Sequence, residues 1–225
     1  MAAFLSQDPV LIQEIRDGAD LHTDNQNRFG LPSRLIAKIF NFRLLYGGSA
    51  YSYANDPEFM GISKSDKYWQ DVIDAYYDKY RGIKEWHKRL VKEAVEKGKI
   101  ISPTGREYRF EKYNGSIKDT QVKNYIVQGT GADLMALARV SFYNRVKRAQ
   151  LKECLLVNTV HDSIVVDCDE TTTDISKLIT TMHEVFDDLP ANFKKMFGVE
   201  FNVPMAAEVQ IGSNWEDMKV VDRIK

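Results

Sequence analysis

Two short stretches carry residues suited to chemistry. In the first, Arg34, Lys38, Phe42 and Tyr46 recur at intervals of four. On a helix each such step turns about 400°, so the row drifts by only about 40° per step and winds into one stripe. Its N-terminal half is cationic and its C-terminal half aromatic. The positive end of a helix dipole falls at the same end as the cations, so charge and dipole favour one anion there. A nucleoside triphosphate has this polarity: an anionic tail, then a flat, stackable base and sugar. An ordinary amphipathic helix with a solvated basic edge and core aromatics has the same spacing. In the second stretch, His161 and Asp162 stand between two β-prone runs, 155–160 and 163–167. A carboxylate at such a hairpin tip is rigidly held and accessible, which suits a metal ligand for phosphoryl transfer. Asp also favours turns in its own right, and a two-metal site needs a second bridging carboxylate.

The surrounding elements must position these groups. The pattern predicts a helix from Pro9 to Asp17, then a loop. Ser33 is a plausible N-cap for a helix through Tyr46, ended by Gly47-Gly48. Ser63 with Asp66 opens a helix through Lys79 with a wide apolar stripe. A third helix runs from about Gly82 to Lys97. Residues 99–113 read as a hairpin turning at Thr104-Gly105. Asp119 opens a long helix to about Arg148, and Thr173–Leu189 reads as one helix. Pro204–Ile211 reads as a final strand. Helices and antiparallel hairpins in this order imply an α+β fold, not a wound parallel sheet.

Composition sets the outer limits. The chain has 225 residues, 44% of them apolar, which is enough for a core and excludes a wholly disordered chain. No apolar run approaches the roughly 20 residues of a membrane span. The N-terminal residues lack a signal-peptide pattern. Cys154 and Cys168 are the only cysteines, too few for a disulfide framework or a zinc site, and reduced thiols in a cytosol-like compartment are expected. A net charge of −1 conceals strong segregation. Residues 25–55 hold four bases and no acid, 79–123 carry an excess of +7, and 162–190 hold eight acids against Lys177 alone. Local fields follow these stretches rather than the total.

Read in order, these motifs resemble the C-terminal fingers and palm part of family A DNA polymerases of the phage replicative type. Arg34, Lys38, Phe42, Tyr46 and Gly47 are similar to the fingers-helix motif, and Val160-His161-Asp162 to the palm hairpin. Asn124 through Gln128 to Asp133 resembles the long palm helix, and Thr104-Gly105-Arg106 the turn before it. Asp20-Leu21-His22-Thr23 and the ending Gly212-Ser213-Asn214-Trp215 also match in place. Three positions depart: Arg43 stands where the family usually has Gly, Ser163 where an acid usually follows the His-Asp pair, and Thr120 where an Arg is frequent. The triplet His161-Asp162-Ser163 also resembles single-subunit phage RNA polymerases. Phe42, Gln128-Gly129-Thr130 and Asn214-Trp215 favour the DNA enzyme.

The resemblance implies fingers over residues 1–100, entered from the palm at 1–20, and palm over 101–225. It implies two Mg²⁺ ions, with Asp162 as metal ligand and Lys38 as a candidate proton donor to the leaving pyrophosphate. His22, Arg34 and Lys38 would bind the dNTP phosphates, Phe42 the sugar, and Tyr46 the nascent pair. His161, Asn124, Gln128, Gly47 and Arg106 would contact primer and template. The first palm motif, with its second carboxylate, is not in this sequence, nor is the thumb. The implied form is a split polymerase: a partner polypeptide supplies those parts and any exonuclease, in the cytoplasm (the host's, if phage-encoded). A palm sheet lacking that motif's strand would leave an open edge and a poorly soluble isolated chain. A fragment of an RNA polymerase and a non-catalytic DNA-binding remnant are the alternatives.

Overall fold

A computed structural model of the chain describes residues 1–112 and 114–224. Among these, ten helices and three two-stranded antiparallel sheets make the expected α+β fold. The chain divides into two compact units, Met1–Gly129 and Thr130–Lys225.

The first unit holds α1 (Ala2–Ser6), α2 (Pro9–Arg16), α3 (Leu21–Phe29), α4 (Arg34–Leu45), α5 (Ala50–Ala54), α6 (Asp66–Lys79) and α7 (Arg81–Lys97). The hairpin β1 (Lys99–Ile101) and β2 (Glu107–Arg109) follows, then the first part of α8 (Asp119–Ala149). The hairpin closes where expected, with Gly105 at φ 83°; the last residue of the expected segment, Tyr113, lies outside the described residues. Ser33 caps α4 by accepting from the Ile36 amide. For α6 the cap is Ser65, not Ser63; the Ser63 carbonyl accepts from the Trp69 indole instead.

The expected loop after α2 is in fact the helix α3. Its sequence, LHTDNQNRF, has almost no apolar period, so periodicity misses it. Capping carries it instead: the Asp20 carboxylate accepts from the His22 and Thr23 amides, and Gly30 ends it at φ 64°.

Beneath α4 lies an aromatic core. Phe40, Tyr53, Phe59, Trp69 and Tyr80 are fully buried. Phe40 and Tyr53 sit 5.0 Å apart, Tyr53 and Trp69 5.4 Å. The Tyr53 hydroxyl donates to the Phe40 carbonyl at 2.9 Å, which ties α5 to the middle of α4. Such rings contribute area and orientation together.

A second lock joins the start of the chain to α7. The buried Asp8 carboxylate accepts from the Leu11 amide at 2.9 Å and the Gly82 amide at 2.7 Å. A Cβ on Gly82 would lie 2.7 Å from Asp8 Cα. Gly82→Ala is therefore expected to destabilise by about 1–3 kcal/mol, as overpacking does. Asp8→Ala should cost about 2 kcal/mol or more by leaving a buried amide bare. A urea denaturation midpoint unchanged by either variant would contradict this lock.

The second unit holds the rest of α8, the hairpin β3 (Cys154–Val160) and β4 (Ser163–Cys168), α9 (Ile175–Asp187), α10 (Leu189–Phe197), and the hairpin β5 (Ala207–Ile211) and β6 (Lys219–Ile224). The helix expected over 173–189 is α9, and a further helix that the sequence pattern did not predict, α10, follows it. Asp188 ends α9 and precedes α10, which carries Pro190 in its first turn, where a missing N–H costs nothing. The expected final strand starts at Ala207, not Pro204, and pairs with β6, which the sequence reading omitted. The strands of the two hairpins do not pair with each other among the described residues. Between β4, α9, β5 and β6 runs an open apolar groove of about 930 Å³, with Asp162 at its margin. No described helix is long and apolar enough to cross a membrane.

Candidate functional site

On α4 the two faces differ sharply. Ala37, Phe40, Asn41 and Leu44 are buried. Arg34, Lys38 and Phe42 are exposed, and Tyr46, the capping residue, is half-buried. The stripe therefore looks outward and is not the packing face of the helix. Lys38 makes no hydrogen bond or ion pair among the described residues. Phe42 is 42% exposed, a large apolar ring left in solvent. Its centroid lies 6.1 Å from that of His22 on α3.

Two residues outside the expected set position this cluster. Asp20 accepts from Arg34 Nε at 2.8 Å, which holds one edge of the guanidinium and leaves its terminal amino groups to reach outward. That guanidinium, with Thr23, holds the Asp20 carboxyl well below the usual range. Asn41 Nδ2 lies 3.2 Å from His22 Nδ1. With the amide donating, the ring proton sits on Nε2. Burial, then Arg34 and Lys38, lower the pKa of His22, while Asp20 opposes them. Burial first, and the cations second, thus disfavour the imidazolium, and an anion arriving beside the ring would favour it. In the sequence Asp20 stands only in the Asp20-Leu21-His22-Thr23 match, with nothing there to mark it as a helix cap or as the partner of Arg34.

Gly47 has φ 94°, and a Cβ there would meet Thr120 Cα and Cγ2 at 3.1 Å and Lys123 Cδ at 3.3 Å. Its lack of a side chain thus lets the end of α4 approach α8. Also on α8, Gln128 is exposed, and Asn124 is half-buried with Oδ1 shielded and unpartnered among the described residues. A Cβ on the neighbouring Gly129 would collide with the Tyr108 hydroxyl, so the missing side chain makes room for the end of the Tyr108 ring. Arg106 is exposed just after the β1–β2 turn.

In the second unit, Val160 pairs with Ser163, so His161 and Asp162 form a two-residue loop. His161 has φ 51°, a conformation that costs a non-glycine residue about 1–3 kcal/mol. Both side chains are exposed. The Asp162 carboxylate takes no hydrogen bond or ion pair among the described residues. It is a hard oxygen donor on a rigid tip, which fits Mg²⁺. No group of three or more His, Cys, Asp or Glu able to hold a metal is found among the described residues, so Asp162 would be one ligand of a set completed from elsewhere.

The three departures have local roles. Arg43 pairs with Asp56 at 2.6 Å and Glu58 at 3.0 Å and lies over the Phe59 ring, bracing the segment after α5. Ser163 Oγ donates to the Val160 carbonyl at 2.9 Å across the hairpin tip. Thr120 fills the space left by Gly47.

Helices presenting such a stripe, with small antiparallel sheets and a His-Asp hairpin, form the fingers-and-palm part of a right-hand polymerase domain. The POL domain of Pol1 from M. smegmatis, in complex with DNA primer-template and dNTP, is similar in fold, with a TM-score of 0.74 and 21% identity over 91% of this chain and 35% of that one. DNA polymerase I of Aquifex aeolicus is 32% identical over 76% of the chain, and that of Lactococcus lactis subsp. cremoris 29% identical over 96%. The chain spans 30% and 24% of those proteins. The DNA polymerase family A profile matches residues 1–217, and the chain belongs to that family.

Proposed function

We propose that the chain supplies the nucleotide-gripping helix and one metal-binding carboxylate of a DNA-directed DNA polymerase. The reaction is addition of a dNTP to a primer 3′-hydroxyl with release of pyrophosphate. The observation that carries this reading is the outward stripe Arg34-Lys38-Phe42 on a helix whose opposite face makes the core. In this reading residues 1–100 act as fingers and 101–225 as palm.

Asp162 would hold Mg²⁺ together with a carboxylate of the first palm motif. Two such ions, when bound, stabilise the attacking and leaving oxygens. Arg34, oriented by Asp20, and His22, oriented by Asn41, bind the terminal phosphates. Lys38 neutralises charge on the leaving pyrophosphate and donates a proton to it. Phe42 packs on the sugar and Tyr46 beside the new pair. His161, Asn124, Gln128, Gly47 and Arg106 contact primer and template.

We further propose that a second polypeptide supplies the first palm motif and thumb, with any exonuclease. The open groove beside β4 and the two unjoined hairpins support docking of a further segment there. The chain alone should aggregate and become monodisperse with that partner, by light scattering. Primer extension should need both polypeptides. Extension by the purified chain alone would contradict the division of labour. Ser163 keeps an RNA polymerase as the second reading, and supplying rNTPs against dNTPs to the assembled protein separates the two. The compartment proposed is the cytoplasm.

A pH test follows from His22. Its free pKa is lowered, and a bound triphosphate would raise it, so binding takes up a proton. The affinity of the assembled protein for dNTP should thus rise, relative to His22→Gln, by roughly three- to tenfold as pH falls from about 8 to about 6. Equal pH dependence in the two proteins, by calorimetry, would remove His22 from the phosphate site.

A further inference from the structure

The open end of the β3–β4 hairpin brings the two cysteines together. Cys154 and Cys168 are register partners on adjacent antiparallel strands. Just beyond them, the Asp169 amide donates to the Glu153 carbonyl at 3.2 Å. Bonded and non-bonded pairs alternate along such a ladder, so Cys154 and Cys168 form a non-bonded pair. In these pairs the Cα atoms approach to about 4.5 Å and the side chains lie closest. A disulfide spans Cα separations of about 4.4–6.8 Å, so the backbone already allows the bond. Directly opposed residues also project from the same face. Both thiols are free and half-buried. The base of the hairpin is further held by Thr173, whose hydroxyl lies 2.8 Å from the Lys152 carbonyl and 3.2 Å from that of Glu153.

We propose that Cys154 and Cys168 are a cross-strand dithiol that small disulfides oxidise to an intrachain bond, clamping the base of the hairpin whose tip carries Asp162. One cysteine loses its proton to solvent, and its thiolate attacks the reagent disulfide and expels a reagent thiolate. The second thiolate then attacks the protein sulfur of the mixed disulfide and expels the other half. Two protein S–H bonds become one S–S bond. The protein loses two electrons, and the reagent gains them as two thiols. Burial raises both thiols, and Asp167, Asp169 and Glu170 raise Cys168 further, so the thiolate fraction is low and closure is slow, needing excess reagent. The inference rests on the strand register alone and holds whatever reaction the assembled protein performs.

The test treats the full native chain, with its copurifying partner if it has one, with cystamine and reads intact mass and free thiols. The expected product has lost both thiols, is lighter by two hydrogens, and retains no reagent. Cys168→Ser should stop at a stable mixed disulfide on Cys154. The double variant Asp167→Cys with Cys168→Ser moves the second thiol to the opposite face of the strand. It too should retain reagent. Mixed disulfides or unreacted thiols as the main native product would overturn the proposal. So would closure of the shifted pair as readily as the natural one, since closure would then owe nothing to the facing register.

Discussion

Asp162→Asn should lower primer extension by the assembled protein at least about a thousandfold, equivalent to ~4 kcal/mol of transition-state stabilisation. The substitution is nearly isosteric and removes only charge. The side chain is exposed at the hairpin tip and holds nothing in place, so the melting midpoint and the assembly should not move. That separation makes the variant informative: a loss without unfolding can only be local. Asp167→Asn is the matched control. It lies further along the same hairpin, on β4, is also exposed, and removes the same charge. A surface change of that kind is worth within about 0.5 kcal/mol, or roughly twofold in rate. Activity of Asp162→Asn within tenfold of the parent would sink the metal role. Equal losses in both variants would point instead to the general field of the acidic stretch.

The parts of this molecule that were legible in its sequence are those governed by local rules. A spacing of four puts Arg34, Lys38 and Phe42 on one side of a helix whatever packs beneath, and Ser33 announces where that helix begins. Strand-forming runs on both sides of His161-Asp162 leave room for only a tight loop. The illegible parts depend on partners distant along the chain. Nothing near Arg43 says that it meets Asp56 and Glu58, so it read as a departure in the site when it is a brace. Nor does anything near Asn41 in the sequence say that it touches His22, on another helix. α3 was missed because capping rather than an apolar stripe defines it. β6, with Lys219, Asp222 and Arg223 among its six residues, is a strand only because β5 lies beside it.

Lys38→Met should give the second largest loss, about a hundred- to a thousandfold in kcat, the range expected when a general acid is removed. Met has nearly the helix propensity of Lys, and the buried face of α4 is untouched, so the helix should remain intact. Removing an ordinary phosphate contact would raise KM and spare kcat, because it serves ground state and transition state alike. Arg34→Met is the comparison: its guanidinium is already held by Asp20 and is expected to act as a grip, with a KM increase of roughly tenfold and a kcat change within about threefold. Lys38→Arg then tells charge from proton transfer. Arginine restores the cation but stays protonated at all working pH values. If Lys38 donates the proton, Lys38→Arg should recover dNTP affinity and leave kcat low. Full recovery of kcat in Lys38→Arg would mean that Lys38 acts by charge alone and that the leaving pyrophosphate takes its proton from another source.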